Sequence, residues 1–132
     1  DEYISVIVPT GNMQDGMIFD SANVIKVNAA IYRKRFGDAL HFGIKITSSH
    51  LHPVYTKGDV ILISQNPIRD GDTGIFINKD DGCVYIRKFH QAEPCLLEPI
   101  NGFGKPFYVN NSNPQEMEKW IKLGYVLCKM KQ

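Results

Sequence analysis

One turn constrains this chain more than any other feature. Asn78-Lys79-Asp80-Asp81-Gly82 lies between two β-rich runs, Gly74-Ile75-Phe76-Ile77 and Cys83-Val84-Tyr85-Ile86-Arg87-Lys88-Phe89. Gly takes up positive φ at little steric cost, so Asp-Gly closes a hairpin readily. The pattern predicts antiparallel pairing of 74–77 with 83–89. A lone hairpin is marginal in water and needs more strands or a helix against its apolar face.

The rest of the chain supplies such partners. Residues 4–8 alternate weakly and stop at Pro9, and 23–27 form a short β-branched run. Residues 41–46 alternate cleanly, with Phe42, Ile44 and Ile46 on one face. Residues 59–63 are continuously apolar after Asp59, which suits a strand covered on both faces. Runs at 95–99, 107–109 and 123–128 complete the strand set. Two short helices are expected. Residues 29–36 end at Gly37, a C-terminal stop, and 112–120 open with cap-type residues before Pro114. The expected fold class is mainly β, a barrel-like sheet system with one or two short helices.

The 132 residues are expected to form one domain, 1–132. Fifteen basic against fourteen acidic residues leave a net charge of +1, whereas a nucleic-acid-binding surface usually carries a basic excess. Cys83, Cys95 and Cys128 lack the close spacing of zinc ribbons and redox motifs. They read as thiols of a reducing compartment, so a cytoplasmic location is expected. No apolar run approaches the roughly 20 residues of a membrane span, and no signal-peptide pattern opens the chain. The first residue is Asp rather than Met, from which a fragment is expected, its missing part before Asp1.

Two segments carry a family resemblance. Ser48-Ser49-His50-Leu51-His52-Pro53 runs through four residues to Gly58-Asp59, and Val84-Tyr85-Ile86-Arg87-Lys88-Phe89 follows further on. Together they resemble the active-site frame of the LexA and phage-repressor family of self-cleaving serine peptidases. Phe42-Gly43-Ile44-Lys45-Ile46, Asp70-Gly71-Asp72-Thr73-Gly74, Leu97-Glu98-Pro99-Ile100-Asn101 and Leu123-Gly124-Tyr125-Val126-Leu127-Cys128 extend the likeness in order. The resemblance implies a fold shared with signal peptidases. It also implies a serine nucleophile and a lysine base, which here fall at His50 and Arg87. The family's scissile Ala-Gly or Cys-Gly bond has its best counterpart in Thr10-Gly11.

The dyad chemistry requires a lysine that burial can neutralise, so that its amine takes the serine proton. Arg87 stays protonated and cannot be that base. His50 is a poor amide-cleaving nucleophile. A shifted dyad of Ser49 and Lys88 lies one residue away at each position. One step along a strand turns a side chain to the opposite face, so both segments would need bulges. His50-Leu51-His52 has two-ligand spacing, yet no third or fourth ligand is evident from sequence, so neither metal nor cofactor is expected.

The expected function is therefore a dimerisation and regulatory domain of a phage-type or SOS-type repressor that no longer cuts itself. DNA would be reached through an N-terminal helix-turn-helix domain outside this chain. The homodimer is expected through Tyr125, Val126 and Leu127, because the apolar closing strand leaves an edge to cover. Two rivals remain open. One is a serine peptidase using Ser49 and Lys88. The other is a ligand sensor that uses the former cleft, with Arg87, His50 and His52 as anion contacts.

Overall fold

The computed structural model describes residues 2–37 and 41–131. The chain is mainly β, with eleven strands and two short helices among the described residues. One open mixed sheet contains every strand. In chain order the elements are β1 (Tyr3–Ile7), β2 (Asn12–Met13), β3 (Gly16–Ile18), β4 (Val24–Asn28), α1 (Ala30–Phe36), β5 (His41–Lys45) and β6 (Val60–Ser64). They continue with β7 (Thr73–Asn78), β8 (Cys83–His90), β9 (Cys95–Pro99), β10 (Phe107–Val109), α2 (Pro114–Lys119) and β11 (Trp120–Met130). The spatial order is β10-β9-β8-β7-β11-β6-β5-β1-β4. β1 and β5 run parallel; all other pairs are antiparallel. No helix among the described residues is long and apolar enough to cross a membrane.

The turn at 78–82 joins β7 to β8 as expected, with Asn78 opposite Cys83 and Gly74 opposite Arg87. It is a four-residue loop rather than a two-residue turn. Gly82 donates its N–H to the Asn78 carbonyl and takes φ 68°. The Asn78 and Asp81 side chains accept from Asp80 N and Cys83 N, which supplies partners to loop amides that the ladder leaves free.

β6 shows why residues 60–63 form a continuous apolar run. Ile61 and Ile63 enter one core with Phe42, Ile44, Ile75 and Ile86. Val60 and Leu62, on the opposite face, enter another with Ile4, Val6 and Ala29 under α1. Each fully buried aliphatic side chain contributes about 1.5–3 kcal/mol. A third core gathers Phe76, Phe89, Cys95 and Leu97 beneath α2.

The helices are shorter than expected by a residue or more. α1 ends at Gly37, whose φ of 82° suits a residue without Cβ. α2 starts at Pro114, and Asn113 caps it by accepting from Gln115 N at 3.0 Å and Glu116 N at 3.4 Å. Trp120, expected in the helix, opens β11 instead, and its ring packs against Tyr85 and Phe107. Asn113→Ala should lower stability by about 1 kcal/mol. Urea titration would then show an earlier midpoint at unchanged slope; an unmoved midpoint would mean that tertiary packing alone holds α2.

β11 departs most from expectation. It is not an end strand of the sheet, so Tyr125, Val126 and Leu127 lie on no free edge, and the edge argument for pairing subunits through them does not hold. Its first half pairs with β7 and its second half with β6. Val126 packs on the first core and Leu127 on the second, and Tyr125 lies opposite both Ser64 and Gly74. The end strands of the main path are β4 and β10, and β2, paired with β3 alone, ends the side branch.

Candidate functional site

β8 positions the site through its alternation. Val84 and Ile86 face the first core, while Tyr85, Arg87 and Phe89 face the other way. On the edge away from β7, β8 is shared by two neighbours. β3 pairs with Cys83 and Val84, and β9 pairs with residues 87–90. Between these neighbours a pocket opens, lined by Ile86 and Arg87 together with Asp15, His50, Leu51 and the 99–103 segment. The free space within it is about 20 Å³, room for a water.

His50 and Arg87 thus line one pocket. His50 sits in the turn after Ser48, a residue only 1% exposed. The Ser48 hydroxyl accepts the His50 backbone N–H at 3.0 Å and lies 3.0 Å from its Nδ1. This local bond fixes the ring and leaves Nε2 free of a protein partner among the described residues. The turn is clamped from outside by Asn101. Its Nδ2 donates to the carbonyls of His50 at 2.7 Å and His52 at 2.8 Å, and its Oδ1 accepts from Phe103 N.

Arg87 is 4% exposed. Nη1 donates to the Lys105 carbonyl at 2.6 Å. The guanidinium lies 4.7 Å from the Phe107 ring centre and 5.6 Å from that of Tyr85, within cation–π range. Asp15 Oδ2 is 4.0 Å from Nη2. Burial pulls the Arg87 pKa down, while Asp15 and Tyr85 act against that shift. The guanidinium keeps its proton regardless. The Tyr85 hydroxyl is pushed up, first by burial and then by its 2.5 Å bond to Asp81.

Asp15 is brought in by a hairpin that the sequence reading did not resolve. β2 and β3 are joined through Gln14 and Asp15, with Gln14 at φ 51°. Gly16 lets this hairpin lie flush on β8, since a Cβ there would come within 2.7 Å of Cys83 Cβ and 2.9 Å of the Tyr85 ring. Thr10 and Gly11, which the resemblance sets against the family's scissile bond, lie at the base of the hairpin. Thr10 N donates to Ile18 O, and Ile18 N donates to Gly11 O. Neither residue lines the pocket; Asp15 at the tip does.

The shifted pair is not brought together there. Ser49 is exposed and lies outside the pocket lining, and Lys88 is exposed on β8, opposite Thr73 and Glu98. His52 is also exposed and contributes only its carbonyl, to Asn101. Of the two histidines considered as anion contacts, His50 alone lines the pocket. His90 is bonded to Glu98, and no three His, Cys, Asp or Glu side chains converge as metal ligands among the described residues. All three cysteines are free thiols, and burial raises the pKa of Cys83 and Cys128.

Asp15 and Asn101 are the residues of this site that sequence reasoning missed. Asn101 carried a signal, the apolar-x-Pro-x-Asn segment, but no role. Asp15 carried none, because a hairpin of two- and three-residue strands is too short for periodicity to register. No family model matches the chain, and no curated protein matches it.

Proposed function

We propose that this chain is the regulatory, subunit-pairing domain of a phage-type or SOS-type transcriptional repressor, and that it does not cleave itself. The observation that carries the reading is His50 and Arg87 lining one pocket at the positions where the resemblance implies serine and lysine. A peptidase centre needs a hydroxyl beside an amine that can lose its proton. Here the strand residue in the pocket is a guanidinium, and the adjacent Lys88 faces solvent.

A domain of this kind pairs subunits. Pairing makes the second DNA contact intramolecular and multiplies affinity without new contacts. The DNA-reading parts belong outside this chain, and the three free thiols suit a reducing cytoplasm.

The test uses the full-length protein at alkaline pH, above the ordinary lysine pKa of about 10.4. Mass spectrometry should find the chain intact, and sedimentation at neutral pH and micromolar concentration should find two subunits. Cleavage at Thr10-Gly11 that disappears in Ser49→Ala would establish the peptidase instead. A monomer at every concentration would remove subunit pairing from the reading.

A further inference from the structure

β4 ends the main path of the sheet, and among the described residues it has a strand neighbour, β1, on one side alone. Val8 N donates to Asn23 O and Ala29 N donates to Glu2 O, just beyond the two ends of that ladder. Antiparallel bonds alternate, so Ile25 and Val27 also bond toward β1. The backbone N–H and C=O groups of Val24, Lys26 and Asn28 therefore point outward along the open edge.

Proteins blunt such an edge with charged side chains, proline or a bulge. β4 has a regular register on β1, no proline and one charge, Lys26. That side chain is turned back over its own sheet, where Nζ donates to Ser5 Oγ at 2.9 Å. Val24 and Ile25 are 41% and 46% exposed. The other open ends suit pairing less. β10 has three residues and β2 has two. Beside β10, Glu93 and Glu116 line the groove at Tyr108, so two copies meeting there would oppose like charges.

We infer that two copies of this chain pair β4 with β4, antiparallel across a two-fold axis at Ile25, so that one sheet runs through both subunits. The inference rests on the subunit pairing proposed above, whose surface it names. The register follows from the edge itself. An axis at Lys26 would set two lysines directly opposite, which is destabilising. An axis at Ile25 sets this residue against its own copy in a non-hydrogen-bonded position, where side chains come closest. Val24 then exchanges backbone bonds with the partner's Lys26, whose ammonium is held on its own sheet and stays clear of the seam. Ile25 shares its face with Val27, which packs on the core under α1. The two-fold therefore sets both α1 helices on one face of the joined sheet. Arg33 and Arg35 of α1 bear on His41 and Cys128, toward β5 and β11 and away from the seam.

The experiment is sedimentation of the chain and its edge variants at neutral pH and micromolar concentrations. The parent should be a dimer. Ile25→Lys and Ile25→Glu, each alone, place like charges at the axis and should raise the dissociation constant at least about tenfold. Mixed in equal amounts, the two should recover the dimer, because opposite charges then meet. Val24→Pro removes an outward N–H and leaves the bonds to β1, so it should weaken pairing with circular dichroism unchanged. It keeps the test decisive if a charge at position 25 unfolds the chain. Ile25→Cys should join two subunits through a disulfide on mild oxidation, and Tyr108→Cys should not. A dimer that persists in folded Val24→Pro, and that crosslinks through Tyr108→Cys rather than Ile25→Cys, overturns this surface but leaves subunit pairing standing. A mixture of the two charged variants that pairs no better than either alone overturns the axis at Ile25. A parent that is monomeric at every concentration overturns the surface and the pairing together.

Discussion

Gly124→Ala should destabilise the chain by at least about 3 kcal/mol, toward the severe end of single substitutions. A Cβ at this position would stand 2.1 Å from the Ser64 carbonyl oxygen and 2.9 Å from Ile63 Cγ2. The first of these is backbone, which cannot rotate aside as a side chain can. Glycine also takes φ 155° here, outside the range that other residues readily adopt. The requirement follows from what β11 does. Around this residue it changes partners from β7 to β6, with register shifts between Lys122 and Gly124 and again between Val126 and Cys128. Bulges of this kind sharpen the local bend. β6 supplies side chains to two cores at once, so moving it away from β11 disturbs both. Urea titration of parent and variant would give the difference. A loss under about 1 kcal/mol would mean that β11 and β6 can separate without cost, contrary to the packing described.

The elements legible in sequence were those whose pattern has one physical solution. β6 is apolar from Val60 to Ile63 because both of its faces are covered. The β7–β8 hairpin was fixed by a turn rich in Asn, Asp and Gly between two β-branched runs. The start of α2 was signalled by Asn113 and Pro114. Other features have two solutions locally. An uncharged apolar run such as 123–128 describes an edge that needs a partner equally well as a strand already flanked, and only pairing distinguishes them. Periodicity cannot detect strands as short as β2 and β3, so the approach of Asp15 to Arg87 had no precursor in the pattern. The burial of Arg87 was half legible. Alternation placed it on the same face as Tyr85 and Phe89, but that this face is roofed by Phe107 and the 99–107 segment is a tertiary fact. The cleft positions of His50 and Arg87 were reached through the family frame rather than through residue chemistry.

Those two positions support a gain-of-function experiment. His50→Ser with Arg87→Lys should create a serine that reacts with a fluorophosphonate probe, where neither the parent nor either single variant reacts at residue 50. The lysine keeps most of the arginine stem but loses the hydrogen bond to the Lys105 carbonyl and much of the stacking on Phe107. That change should cost about 1–3 kcal/mol, within reach of a folded domain. Burial would lower the lysine pKa, whereas the Asp15 carboxylate would raise it by favouring the charged amine. Labelling should therefore increase as pH rises through the amine's pKa. Adding Asp15→Asn should move that rise to lower pH, because the stabilising negative charge is gone. Folding must be verified by circular dichroism at each pH, and the modified residue located by mass spectrometry. If the folded double variant remains unlabelled at residue 50 even where the amine is neutral, serine and lysine at these positions do not form a nucleophile–base pair. The alignment that places the family dyad at 50 and 87 would then fail.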